Sequence, residues 1–176
     1  MEIWDVYDNL RNKTGKTVQR GQGIKLPKGE YRIVVYAVLF NSNNEMLIQK
    51  RSMQKEDYAG KWDFTAMGSL TAGEHSGLGA TRELLEEVGV DIDFSDDIPN
   101  LSIVSDFIIC DFYVAQKDIN IEDLKLQKGE VDEAKWANKD EIFEMIGNGE
   151  FIPRKYSLVE FLFDYIQEPS TRQNEE

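Results

Sequence analysis

One cysteine and one histidine in 176 residues remove several chemistries at the outset. The single thiol, Cys110, has no partner in the chain for a disulfide, and its setting in IICDFYV reads as a small apolar group in a strand. A metal centre built on several histidines cannot be assembled from His75 alone. Long apolar runs are missing too: none approaches the roughly 18 residues needed to span a bilayer. The opening MEIWDVYDNLRNK has no apolar core of a secretory signal, so a cytoplasmic protein is expected. Positive charge is scarce, with 20 Lys and Arg against 33 Asp and Glu and a net charge of -13. No basic patch of the kind that nucleic-acid phosphates require is visible, so neither nucleic acid nor membrane is an expected partner. An anionic ligand would need a cation to mediate its approach.

What is present suits one α/β domain over residues 1–168, with residues 1–30 as an N-terminal extension and 169–176, ending STRQNEE, as a frayed polar tail. No internal repeat interrupts it. Trp4, Val6 and Tyr7 stand in near alternation and predict a strand over 3–8, then a turn over Asn12 to Lys16 and a return strand over Thr17 to Arg20. Tyr31 to Phe40, YRIVVYAVLF, is β-branched and aromatic and predicts a strand buried on both faces, with MLIQKR from Met46 returning beside it. Trp62, Phe64 and Ala66 alternate as one short strand leading to Gly68. Leu101 to Ala115 predicts one or two strands and Val131 to Trp136 another. Helices are expected over Asn138 to Ile146 and over Pro153 to Ile166, the second with Leu158, Phe161, Leu162 and Tyr165 on its packed side. Strands and helices interleave around a single mixed sheet.

The most informative stretch is Gly68 to Val90, GSLTAGEHSGLGATRELLEEVGV. A glycine-rich loop leads into a helix that Ser76 is placed to cap and Gly89 to end. At 3.6 residues per turn Glu83, Glu86 and Glu87 fall within about 100° of arc, and Leu78, Thr81, Leu85 and Val88 gather opposite as the expected packing side. Like charges three and four residues apart repel, so this face costs stability unless something neutralises it. A hard divalent cation would do so; a solvated acidic face laced by Arg82 to Glu86 is the plainer explanation.

The spacing decides between them. Gly68, five residues, Glu74, seven residues, Arg82-Glu83-Leu84, one residue, Glu86-Glu87, one residue, Gly89-Val90 is the complete signature of the Nudix hydrolases, and the chain resembles that family. The resemblance implies an α/β/α sandwich around a central mixed sheet. It also implies Mg²⁺ or Mn²⁺ held by Glu86 and Glu87 with Glu83 and the carbonyl of Gly68, and a brace between Glu74 and Arg82. The activity it implies is hydrolysis of the diphosphate in a nucleoside diphosphate linked to another moiety, with the general base left between Glu83 and Glu130 of KGEVDEAKW. Arg51 is a candidate phosphate contact. Tyr58, Trp62 and Phe64 are candidates for stacking or for the core, and loops over 21–30, 52–61 and 116–130 for the substrate walls. Many members are homodimers, and the N-terminal strands could supply such an interface.

Two other readings compete. EIWDVYDNLRNKTG, Arg20-Gly21 and LIQKRS with Lys55 resemble the segment before the motif in isopentenyl-diphosphate isomerases. Those enzymes use a cysteine in the strand before the loop and a three-histidine metal site, whereas here the strand reads DFTAMGS and the only histidine is His75. The other is a non-catalytic nucleotide-sensing module, which would be expected to carry a DNA-binding extension and a damaged motif; neither is seen.

Overall fold

A computed structural model of the chain describes residues 2–21 and 24–167; the expected tail over 169–176 lies outside them. Nine strands and three α-helices occur among these residues: β1 (Ile3–Tyr7), β2 (Lys13–Gln19), β3 (Arg32–Phe40), β4 (Met46–Arg51), β5 (Trp62–Asp63), β6 (Ala66–Ser69), α1 (Ser76–Val88), β7 (Leu101–Ser105), β8 (Ile108–Gln116), β9 (Val131–Ala137), α2 (Lys139–Asn148) and α3 (Tyr156–Gln167). β1 and β2 form a hairpin; the other seven strands make a mixed sheet in which β5, β4, β3, β8 and β7 run in that order, with β6 on β3 and β9 on β4. β3 and β8 pair in parallel from Arg32 opposite Ile108 to Phe40 opposite Gln116, and the remaining pairs are antiparallel.

β3 is the centre, and its alternation divides the core. Ile33, Val35, Ala37 and Leu39 pack with Ala80, Leu84 and Val88 of α1, whereas Val34, Tyr36, Val38 and Phe40 pack with Ile142 and Met145 of α2 and Val159, Leu162 and Phe163 of α3. Successive side chains of a strand point to opposite faces, so a run that is apolar at every position requires a cover on each side. The result is the expected α/β/α sandwich around a mixed sheet.

Local chemistry moved several boundaries. The hairpin turn lies at Asp8–Asn12, not Asn12–Lys16, because Asp8 Oδ1 accepts the backbone N–H groups of Leu10 (2.8 Å) and Asn12 (2.9 Å) and closes the turn itself. The single strand expected over residues 62–66 is two. β5 pairs with β4 and β6 with β3, because β3 and β4 meet only at Phe40 and Met46 and then part. The buried Thr65 hydroxyl bridges the gap, donating to Leu47 O at 2.6 Å and accepting from Leu39 N at 2.9 Å. α3 begins at Tyr156 and not at Pro153, since residues 151–154 are engaged with β5: Ile152 N donates to Trp62 O at 2.9 Å and Arg154 pairs with Asp63. Its buried side carries Val159, Leu162 and Phe163, while Phe161 faces outward.

The packed side of α1 also differs from expectation. Leu78 and Leu85 are exposed, and Gly77, Gly79, Ala80, Leu84, Glu87 and Val88 are buried. A Cβ on Gly77 would sit 2.0 Å from the Phe94 carbonyl oxygen, so close backbone approach requires glycine in the first turn of the buried side. The carboxylate face is therefore adjacent to the packing face, with Glu87 on the border.

Candidate active site

Glu87 is the only one of the three helix glutamates that is fully buried, at 4% exposure. Its Oε2 accepts from Gln49 Nε2 at 2.7 Å and Met67 N at 2.9 Å, which ties the helix to β4 and β6. Burial pushes its carboxyl up to about 8, and Glu83, also desolvated, to about 7. Gly68 lies directly against Glu83: a Cβ there would fall 1.9 Å from Glu83 Oε1, so only glycine lets that carboxylate reach the strand.

Arg82 organises the rest. Its Nε and Nη2 donate to the two oxygens of Glu74 at 2.6 and 2.9 Å, a forked pair that braces loop against helix, and Nη2 also reaches Ser69 O at 3.3 Å. Nη1 donates to Glu83 Oε1 at 2.7 Å and to Glu86 Oε2 at 3.2 Å. His75, and not Ser76, is the N-cap, its Nδ1 accepting from Leu78 N at 3.4 Å. The Ser76 hydroxyl is taken instead by the buried Asp111, to which it donates at 2.5 Å. Asp111 also receives Arg11 through Nη1 at 2.8 Å and Nη2 at 2.5 Å, so the β1–β2 hairpin is clamped to the start of α1.

Glu130 reaches the same place by another route. The segment before β9 closes the end of α1, with Lys125 N donating to Val88 O and Gln127 N to Glu87 O, both at 3.0 Å. Ser52 N then donates to Glu130 O at 2.8 Å, and the Glu130 carboxylate pairs with Lys55.

These residues line one cleft of about 940 Å³. Gly68, Glu83, Glu86 and Glu87 form its acidic floor, and Glu130 and Arg51 border it. Gly21 and Ile24, Lys55, Glu56 and Asp57, and Gln127 enter from the three expected loops. Trp62 and Phe64 lie in the core and Tyr58 is half exposed; none of the three lines the cleft. Sequence reasoning missed Arg20, Arg32 and Lys55, which join Arg51 and Arg82 to make a local concentration of cations in an acidic chain. They come from separated segments; Arg20 and Lys55 stood out only in the resemblance to the isomerases, and Arg32 carried no signal of its own. Cys110 lies partly buried on β8, away from the strand before the loop.

As the side chains stand, no three acidic, cysteine or histidine groups among the described residues close on one point; Arg82 Nη1 bridges Glu83 and Glu86 instead. An arginine that keeps Glu74 through Nε and Nη2 can release both glutamates without losing the brace. The donor set, carboxylates beside a glycine backbone, is all oxygen and fits a hard divalent cation.

The raised carboxyls make a prediction for the metal-free protein. Between the ordinary value of 4.5 and about 7 and 8, the folded chain keeps protons that the unfolded chain has released, so stability falls as pH rises through that window. Melting temperature in chelator is expected to drop from about pH 5 to about pH 8, and the Glu83→Gln, Glu87→Gln double variant to flatten that slope. An unchanged slope in the double variant would place the titration elsewhere.

Comparison with known proteins places the chain by family and fold. The sequence model of the NUDIX domain matches residues 30–158. The chain is 39% identical over 164 residues to an uncharacterised Nudix hydrolase of Listeria monocytogenes, covering 93% of this chain and 95% of that protein. An isopentenyl-diphosphate Delta-isomerase of Pectobacterium atrosepticum is 33% identical over 63 residues, 36% of this chain and 35% of that protein. A crystal structure from Deinococcus radiodurans shares the fold with a TM-score of 0.72 at 20% identity, covering 92% of this chain and 97% of that one.

Proposed function

The chain belongs to the Nudix hydrolase family, and from that premise we propose that it hydrolyses the diphosphate of a nucleoside diphosphate linked to a second moiety, with Mg²⁺ or Mn²⁺. The observation that carries this reading is one cleft in which an acidic floor faces several cations. Glu83, Glu86, Glu87 and the Gly68 carbonyl would hold the cation. Such a cation supplies charge neutralisation at the diphosphate and makes water more acidic.

The chain's own groups do the rest. Arg51 and Lys55 face the cleft and offer N–H donors to phosphoryl oxygens. Water attacks phosphorus, a new P–O bond forms, and the anhydride P–O bond breaks, releasing the second phosphoryl group as a monoester. The proton passes to a carboxylate. Glu83, on the acidic floor, and Glu130, held by Lys55 at the edge of the cleft, are the two candidate acceptors.

The test is a substrate panel. Purified protein with Mg²⁺ or Mn²⁺ is expected to release a phosphomonoester from at least one of nucleoside triphosphates, nucleotide sugars, ADP-ribose or dinucleoside polyphosphates. Silence across the panel with both cations contradicts the reading.

A further inference from the structure

Most cations of the cleft are already neutralised. Arg20 pairs with Glu2, Lys55 with Glu130, and Arg82 with Glu74, Glu83 and Glu86. Two have no carboxylate partner among the described residues. Arg51 Nε donates to the Asp57 carbonyl at 3.1 Å. Arg32, at the start of β3, lies over the Trp4 indole with its guanidinium carbon 4.7 Å from the ring centre, and its Nη1 donates to Ser69 Oγ at 2.7 Å.

This arrangement is built from several segments. The Trp4 ring is pinned by its own N–H, which donates to Glu2 Oε1 at 2.7 Å, while Glu2 Oε2 accepts from Arg20 at 2.6 Å. Ser69 directly follows Gly68, so the Arg32 guanidinium is tethered beside the acidic floor. A guanidinium carries five N–H donors in one plane, and stacking on an aromatic face leaves the edge of that plane free to act as a fork. Burial weakens the hold of Arg32 on its proton, and Arg20 nearby adds repulsion; Glu2, already shared by Trp4 and Arg20, offsets this only through space. A half-buried positive charge without a protein counter-ion is costly until an anion meets it.

We propose that Arg32 is a substrate-binding residue that takes non-bridging oxygens of one phosphoryl group through its free edge, with Trp4 as the positioning residue that holds the guanidinium flat at the cleft wall. The proposal rests on the diphosphate reading above. It places the diphosphate between two arginines, Arg32 from the N-terminal wall and Arg51 from the end of β4, with the acidic floor beneath. The hairpin is thereby part of the binding site.

The experiment is calorimetric titration with imidodiphosphate, a non-hydrolysable diphosphate, in Mg²⁺, on the full chain and on Arg32→Met, Arg32→Lys, Trp4→Phe and Trp4→Ala. Arg32→Met is expected to weaken binding by about 10- to 100-fold, and Arg32→Lys to recover only part, since an ammonium cannot present a fork. Trp4→Phe should stay within about threefold and Trp4→Ala should lose more, because phenylalanine keeps a face for the guanidinium. In turnover, Arg32→Met raises KM with kcat nearly unchanged. Binding by Arg32→Met within twofold of the parent, or no binding by the parent, overturns the proposal. Hydrolysis by the parent with KM unchanged in Arg32→Met removes Arg32 alone and leaves the diphosphate reading standing. A parent that binds imidodiphosphate through Arg32 yet hydrolyses nothing removes the hydrolytic reading and keeps the anion site.

Discussion

Glutamine in place of Glu87 is expected to reduce turnover by about a thousandfold or more while leaving the melting temperature unchanged or raised. The two effects separate because the Glu87 oxygens have different surroundings. Oε2 accepts from Gln49 and from the Met67 backbone, and a glutamine carbonyl oxygen can receive the same two donors. The other oxygen becomes an amide NH₂, which cannot bind a cation. The substitution also removes a carboxyl that desolvation pushes up to about 8, so the folded state no longer has to keep a proton that the unfolded chain releases, or above that pH to bury a charge. Kinetic assay beside thermal denaturation checks both halves. Turnover within tenfold of the parent contradicts the assignment, and a loss of both activity and stability would make Glu87 a structural residue.

The second large effect lies away from the cleft. Asp63→Ala is expected to destabilise the fold by about 3–5 kcal/mol, because it strands the guanidinium of Arg154 in the core. Arg154 Nη2 lies 2.8 and 3.0 Å from the two Asp63 oxygens, Nη1 donates to the Tyr36 hydroxyl at 3.2 Å, and the cation sits about 5 Å from the ring centres of Tyr36 and Phe64. Burial opposes the charge on Arg154, yet Asp63 overrides it and the guanidinium is held well above its ordinary value. The pair fastens the segment before α3 to β5, from which the chain passes to β6 and Gly68. Urea unfolding is the measurement. A double variant, Asp63→Ala with Arg154→Met, should lose less than the sum of the single changes, since no charge is left unpaired; additivity or a loss below about 1 kcal/mol would show that the pair is screened.

The contrast between these two regions explains what the sequence could disclose. The Gly68 to Val90 loop and helix were legible because their chemistry is local: the Glu74–Arg82 brace spans eight residues, and the glutamates occupy one face by helical period alone. β3 was legible because an unbroken apolar run has few other uses than a strand covered on both sides. The Asp63–Arg154 pair spans 91 positions and the Arg11–Asp111 clamp 100, and no spacing rule connects them.

Two local errors have physical causes of the same kind. Leu78 and Leu85 were expected inside because they are apolar, but the helix approaches the Phe94 backbone so closely that Gly77 occupies the contact. Ser76 was expected to cap the helix, yet a buried carboxylate from β8 drew its hydroxyl away and left His75 as the cap. In each case a tertiary contact outcompeted a local preference. The cleft cations escaped for a related reason: net charge is a sum over the chain, and the fold gathers Arg20, Arg32, Arg51, Lys55 and Arg82 from separate segments around one cleft.

The most direct test of the acidic floor as a site of diphosphate hydrolysis is a ³¹P NMR time course on the best substrate of the panel, with parent protein in Mg²⁺ and again in chelator. The account predicts that the paired diphosphate resonances give way to phosphomonoester resonances only when the cation is present. Diphosphate signals that persist in Mg²⁺, or that decay equally in chelator, would contradict it.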